Sequence, residues 1–293
     1  MASNLYSYVS DQDTLSNVKM NDSLFYKFSN YIHREFGIKL PISKKVMLQS
    51  RLQKRLRKLS MKSFKDYYDF VFQTKEGNDE LVEMINVVTT NKTDFFREPK
   101  HFEYLTSNAL PELLNSRLFS IRKKIAIWSA GCSTGEEPYT LSIVLNEFCE
   151  QKFLFSFEIL ATDISTGVLK MAHNAVYPLN KVEPIPLPLK KKYLLKSKDP
   201  GKKMVKINSV ARKPVTFSRL NLMDRAFDFK EPFDVIFCRN VIIYFDRPTQ
   251  EKLLMNYYTH LAPGGYLFLG HSETLNGMDT PFKQVAPTIY RKF

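Results

Sequence analysis

The sequence predicts an α/β protein with a mostly parallel sheet, preceded by a small all-helical domain and interrupted by a small antiparallel β insertion. Three observations predict it. After about Leu118, short runs rich in Ile, Val, Phe and Leu (124-KIAIWSA, 157-FEILATD, 233-FDVIFCRN, 265-GYLFLGHS) alternate with helical stretches, the pattern of a parallel sheet covered on both faces. Before that point apolar residues recur at helical spacing. Between 181 and 217 the alternation gives way to a segment rich in Pro and Lys.

Length and composition narrow the class. A chain of 293 residues has room for one large domain or two ordinary ones, and 44% hydrophobic residues suffice for a packed core. No window reaches the roughly 20 apolar residues of a membrane helix, and the opening MASNLYSYVSDQDTLSNVKM lacks the basic start and apolar run of a signal peptide. A soluble cytoplasmic protein without membrane insertion is expected. Cys132, Cys149 and Cys238 are widely separated with no C-x-x-C spacing, which predicts free thiols and no zinc or disulfide framework. The formal charge of +13 predicts attraction to something acidic, whether nucleic acid, an anionic membrane surface or an acidic protein.

Residues 1–22 are polar and aperiodic, and a flexible tail is expected there; residues 23–90 read as the helical domain. In 46-VMLQSRLQKRLRKLS-60, Leu48, Leu52, Leu56 and Leu59 form one apolar face, and Arg51, Lys54, Arg55 and Lys58 form an adjoining basic stripe. The stretch 44–65 holds nine Lys or Arg and no acid, so the stripe is either a solvated face or a docking surface for an acidic partner. Helices are expected from Ser63 to Thr74 and from Asp79 to Val88, with 75-KEGN-78 as the turn between them. Residues 91–293 read as the sheet domain, with ligand chemistry at the C-terminal ends of the strands. Its first strand is 124-KIAIW-128, and Pro138 opens the next helix, where proline is tolerated in a first turn. The insertion, expected at about 177–217, carries a turn at Asp199-Pro200-Gly201 and an alternating run 203-KMVKI-207 that suggests a hairpin.

The loop 129-SAGCSTGEE-137 passes from a strand through small residues into two glutamates. Its glycines, Gly131 and Gly135, do not match the G-x-G-x-x-G of a pyrophosphate site. Carboxylates suit a ligand that is cationic and bears hydroxyls. The second strand ends in Asp163, where nucleoside-binding α/β folds place an acid on the ribose; a helix N-cap is the alternative for this residue. An adenosine joined to a positively charged amino acid satisfies both demands, which points to S-adenosyl-L-methionine. The strand end Cys238-Arg239-Asn240-Val241 lacks the Asn or Asp followed by two prolines and an aromatic that base N-methyltransferases carry. That argues against a base methylase despite the charge.

The motifs 89-TTNKTDFFREPKHF-102, 128-WSAGCSTGEEPY-139, 161-ATDIS-165, 220-LNL-222, 234-DVIFCRNVIIYFD-246 and 264-GGYLFLGHSE-273, in this order, closely resemble the CheR family of chemotaxis receptor methyltransferases. The resemblance runs from the helical domain to about Tyr290. It implies an N-terminal helical domain, then a Rossmann-like S-adenosylmethionine-dependent methyltransferase domain carrying a small antiparallel β-subdomain. It also implies methylation of glutamate carboxylates on the cytoplasmic helices of transmembrane chemoreceptors, giving methyl esters and S-adenosyl-L-homocysteine. By resemblance, Asn91, Thr93, Arg97, Glu137, Asp163, Asn221, Leu222, Asn240 and Val241 line the cofactor, and Arg97 and Tyr244 lie beside the reacting methyl as catalytic residues. Arg51, Lys54, Arg55 and Lys58 become candidate contacts to an acidic receptor helix. The β-subdomain of the family contacts receptors, in some members by strand addition to a receptor peptide. The partner expected is therefore the cytoplasmic domain of a chemoreceptor, with no nucleic acid, no metal and a monomeric enzyme. The competing readings are a methyltransferase of RNA or a small molecule, and a non-catalytic adaptor that senses S-adenosylmethionine.

Overall fold

The computed structural model describes residues 18–151, 155–199 and 201–293, so most of the expected N-terminal tail and Pro200 of the expected turn lie outside the described residues. Two compact units divide the chain, Met1–Thr90 and Asn91–Phe293. Among the described residues no helix is long and apolar enough to cross a membrane.

The first unit is built from helices α1 (Asp22–Phe36), α2 (Lys45–Lys58), α3 (Phe64–Gln73) and α4 (Gly77–Val88). Local chemistry sets their ends. The Asn21 side chain accepts from Leu24 N at the start of α1, and Gly37, at φ 71°, ends it by donating to the His33 carbonyl. Ser63 caps α3 by accepting from Asp66 N. Phe25, Phe28, Ile32, Leu48, Leu52, Leu56, Tyr67, Met84 and Ile85 are buried in this unit, and this apolar cover holds helices together that are individually too short to persist in water. Leu59 is only half-buried, because it is the C-cap of α2.

The basic stripe on α2 is corrected at Arg55. Only 6% exposed, Arg55 donates from Nε and Nη2 to the two oxygens of Glu80 at 2.8 and 2.6 Å, and the Tyr67 hydroxyl donates to the same carboxylate at 2.8 Å. The α2 helix turns this guanidinium inward because α4 supplies the carboxylate that neutralises it. Arg51 is committed as well, donating to the Val88 carbonyl and to Thr90 Oγ1. Lys54 and Lys58 are the exposed members of the stripe.

In the second unit, α5 (Pro99–Tyr104), α6 (Leu110–Leu114) and α7 (Arg117–Arg122) lead into an alternating series. It runs β1 (Lys124–Ala130), α8 (Glu136–Gln151), β2 (Ser156–Asp163), α9 (Thr166–Asn174), β3 (Val176–Pro178), α10 (Leu187–Tyr193), β4 (Leu194–Lys196) and β5 (Met204–Ile207). There follow α11 (Ser209–Arg212), β6 (Val215–Arg219), β7 (Phe233–Cys238), α12 (Arg247–His260), β8 (Leu261–Leu269), β9 (Lys283–Ala286) and β10 (Ile289–Arg291). Seven strands form the main sheet in the order β6-β2-β1-β7-β8-β10-β9. The pairings from β6 to β8 are parallel, and β10 and β9 add antiparallel.

Side chains of β1 alternate between two cores, as the two-residue period of a strand requires. Ala126, Trp128 and Ala130 enter one, and Ile125 and Ile127 the other. Trp128 sits among Phe227, Phe229, Phe233 and Tyr257, while on the opposite face Phe237 stacks on Phe268 at 4.4 Å between ring centres. The insertion folds as a separate three-stranded antiparallel sheet, β3-β5-β4. Val215 to Phe217 fall in the span expected for the insertion, yet they pair with β2 in the main sheet as part of β6. Pro214 interrupts the local pattern there, but its carbonyl accepts from Ile159 N at 2.8 Å and begins that pairing.

Candidate functional site

The strand order reverses at β1, with β2 and β6 on one side and β7 and β8 on the other. In an open α/β sheet the crevice at such a point, beyond the carboxyl ends of the strands, is where ligands bind. Candidate residues stand at the ends of β1, β2, β6 and β7.

The loop after β1 is folded by its own backbone. Gly131 N and Cys132 N both donate to the Thr162 carbonyl, at 2.8 and 2.9 Å, which draws the loop across the end of β2. Gly131, Ser133 and Gly135 take left-handed conformations at φ 80°, 49° and 96°. A Cβ on Gly131 would lie 2.5 Å from Val241 Cγ2, so the glycine lets the chain after β7 close against this loop. Helix α8 begins at Glu136, two residues ahead of the expected Pro138.

Both glutamates of the loop are buried, Glu136 at 1% and Glu137 at 8% exposure. Glu136 accepts from Thr134 Oγ1 at 2.6 Å, and burial pushes its carboxyl above the usual range. Glu137 accepts from Ser129 Oγ at 2.7 Å and from Arg239 Nε at 2.7 Å. The ion-pair partner of Glu137 is thus Arg239. A carboxylate has about four acceptor positions, so Glu137 keeps capacity for a ligand. Asp163 accepts from Ser133 N at 2.8 Å and Ser165 N at 2.9 Å, and burial pushes its carboxyl up against these bonds. The cap of α9 is Ser165, whose side chain accepts from Val168 N, so Asp163 ties two loops together and is not the N-cap.

Arg239 is the hub that the sequence reading passed over. It is 7% exposed and packs on the rings of Phe102 and Phe237. Its Nη1 donates to the Arg97 carbonyl at 2.6 Å and lies 3.5 Å from Glu98 Oε2 and 3.3 Å from His101 Nδ1. Phe96 and Glu98, on either side of Arg97, are both left-handed at φ 53° and 57°, a strained backbone that these contacts sustain. Glu98, His101 and His271 bring three potential metal ligands within 4.8 Å of one another. The guanidinium between Glu98 and His101 already supplies the positive charge there, which opposes a bound cation. Desolvation, then Arg239 and His271, push the His101 imidazole down to about 3, so it is neutral near pH 7.

The remaining candidates divide by what they touch. Asn91 gives its carbonyl to Ser133 Oγ at 3.0 Å, and Thr93 gives its carbonyl to Lys181 Nζ at 2.9 Å. Arg97 is half-buried, and its Nη1 donates to the Lys92 carbonyl at 3.1 Å. Asn221 accepts from Met223 N after β6, and Leu222 packs on the core around Trp128. Tyr244, half-buried, ends a 3₁₀ turn from Ile242 that follows β7. Asn240 is left-handed at φ 59°, and its Oδ1 is buried with no partner among the described residues. The Asn240 and Val241 amides donate to Glu273, a buried carboxylate after β8. Neither Arg239 nor Glu273 announced itself in sequence, because a charged residue in a loop reads as solvated until a partner is seen. All three cysteines are free thiols; Cys132 and Cys238 are buried and Cys149 only partly so, and burial raises the first two well above the usual range.

Residues 23–89 match the all-alpha domain of CheR methyltransferases, and residues 91–291 match the SAM-binding domain of CheR methyltransferases. A chemotaxis protein methyltransferase of Borreliella burgdorferi is 39% identical over 277 residues, covering 94% of this chain and 96% of the relative. Chemotaxis protein methyltransferase 2 of Pseudomonas aeruginosa is 38% identical over 270 residues, covering 91% of each chain. The chemotaxis protein methyltransferase of Escherichia coli is 32% identical over 271 residues, with 92% and 91% covered.

Proposed function

The chain belongs to the CheR methyltransferase family, and from that premise we propose that it esterifies glutamate side chains on the cytoplasmic helices of chemoreceptors. Use of S-adenosylmethionine comes with the family's binding domain. The residues at the strand ends suit that group. Asn240 Oδ1 is a buried acceptor without a partner among the described residues, and an adenosyl amine, a ribose hydroxyl or an ammonium would each offer it a donor. Asn91, Thr93, Asp163, Asn221, Leu222 and Val241 would hold the remainder, and Glu137 would hold the cationic end with its remaining acceptor positions. When bound, S-adenosylmethionine supplies an electrophilic methyl group, which a glutamate oxygen takes up to give the methyl ester and S-adenosylhomocysteine.

The observation that carries the acceptor assignment is the state of Arg97. Its carbonyl is held by Arg239, while its guanidinium makes one hydrogen bond among the described residues, to the Lys92 carbonyl. A guanidinium has five donors, and a substrate carboxylate matches the unused ones. Glutamate is ionised near neutral pH, with a reference pKa of about 4.3, so the reaction needs no strong base. Arg97 and Tyr244 orient the acceptor, and catalysis is mostly positioning. His101, neutral and tied to Arg239 and Thr288, takes no proton. Lys54 and Lys58 offer charge to an acidic receptor helix.

The test is incubation of the protein with methyl-labelled S-adenosylmethionine and membranes containing chemoreceptors. Label on receptor bands that mild alkali releases as methanol is expected. Alkali-stable label, or label on RNA or a small molecule instead, would overturn the acceptor assignment and leave the cofactor assignment intact.

A further inference from the structure

Glu273 lies after β8, only 3% exposed, in a segment to which the reaction assigns no contact. Its carboxylate accepts four backbone N–H groups. Oε2 takes Asn240 N at 2.8 Å and Gly270 N at 2.6 Å; Oε1 takes Val241 N at 2.9 Å and Ile243 N at 3.3 Å. Three of those donors belong to the chain after β7 and one to the chain after β8, so a single side chain fastens two strand ends together. The approach is close enough that a Cβ on Gly270 would lie 2.7 Å from Asn240 Nδ2 and 2.8 Å from Asn240 N. The amides of Asn240 and Val241 converge because Asn240 is left-handed, and successive amides in that conformation form a concavity that favours an anion.

Resting on the reading of this site as an S-adenosylmethionine site, we propose that Glu273 is a positioning residue for the cofactor. Its carboxylate fixes the backbone from Asn240 to Ile243, and so fixes where the Asn240 Oδ1 acceptor, Val241 and the turn carrying Tyr244 stand before ligand arrives. The chemistry demands a carboxylate. Four donors face it, and only a group that accepts at both oxygens satisfies all of them. A glutamine would turn its NH₂ toward two of the four donors, and an aspartate would fall one methylene short. Without the clamp, the left-handed Asn240 would lose the contact that offsets its strain, and ordering the loop would be charged to ligand binding.

The experiment is calorimetric titration of the full chain with S-adenosylhomocysteine, for the wild type, Glu273→Gln and Glu273→Asp, with folding followed by circular dichroism. The expected result is one site per chain in all three, with Kd raised at least tenfold in both variants. In the kinetic assay, KM for S-adenosylmethionine should rise while KM for the receptor stays unchanged. An unchanged Kd overturns the proposal, whether stoichiometry holds or falls; a fall would mean only that fewer molecules are folded. If a variant does not fold, wild-type hydrogen exchange decides. The Asn240, Val241 and Gly270 amides should be protected without ligand, and free exchange overturns the proposal. Failure of the wild type to bind S-adenosylhomocysteine would instead overturn the cofactor reading, with the amide protection still measurable.

Discussion

At the scale of single residues, the site is held by buried charges that carry partners. Arg239 spans Glu137, the Arg97 carbonyl and Glu98, and His101 stays neutral beside it, its imidazole pushed down to about 3 from the usual 6.5. The sign of the resulting pH dependence follows. An unfolded His101 takes up a proton below about pH 6.5 and the folded one does not. Its contribution to stability is therefore complete above that value and is lost on the way down to about pH 3. The expected slope from this residue is about 1.4 kcal/mol per pH unit. Urea unfolding between pH 6 and pH 4 should show that slope as the difference between wild type and His101→Gln. Parallel pH profiles would show that the imidazole is not desolvated. Asp163 and the glutamates of the first loop were legible in sequence because small residues and acids at a strand end have few other uses. Arg239 and Glu273 were not, since their partners lie 102 and 33 residues away in the chain.

At the scale of elements, periodicity located the helices and strands and was least informative at their ends. The turn expected at 75-KEGN-78 is the clearest case. Gly77 reads as a turn residue, but it opens α4, where a Cβ would lie 2.4 Å from the carbonyl oxygens of Phe70 and Val71. The glycine is there for the close approach of α4 to the end of α3. Gly77→Ala should force the two helices apart and destabilise the helical unit by about 1–3 kcal/mol, the range for overpacking. Chemical denaturation measures it, and a neutral or stabilising alanine would show that the helix ends yield freely. Strand β6 escaped notice for a related reason. It is short, only partly buried and follows a proline, so its Val-Thr-Phe-Ser alternation reads as the end of the insertion, and its identity comes from pairing with β2.

At the scale of the whole molecule, the charge of +13 is distributed unevenly, and the structure changes which residues can use it. Arg55 and Arg51 are consumed inside the helical unit; Lys54 and Lys58 remain exposed. If acidic receptor helices are the substrate, raising ionic strength from about 0.05 to about 0.5 M should raise KM for the receptor several-fold with kcat unchanged, because exposed charges are screened over a few ångströms at high salt. A KM insensitive to salt would remove electrostatics from receptor recognition. The reversal of strand order at β1 has a consequence for how the protein is made. On a ribosome, β1 and β2 emerge first and can pair, β6 then adds to β2, and β7, the partner on the other side of β1, follows more than a hundred residues after β1 begins. The seam between β1 and β7, beside which the candidate site stands, can close only once β7 has emerged, so binding competence waits on that strand and a chain stalled before Phe233 displays the unpaired edge of β1 to chaperones.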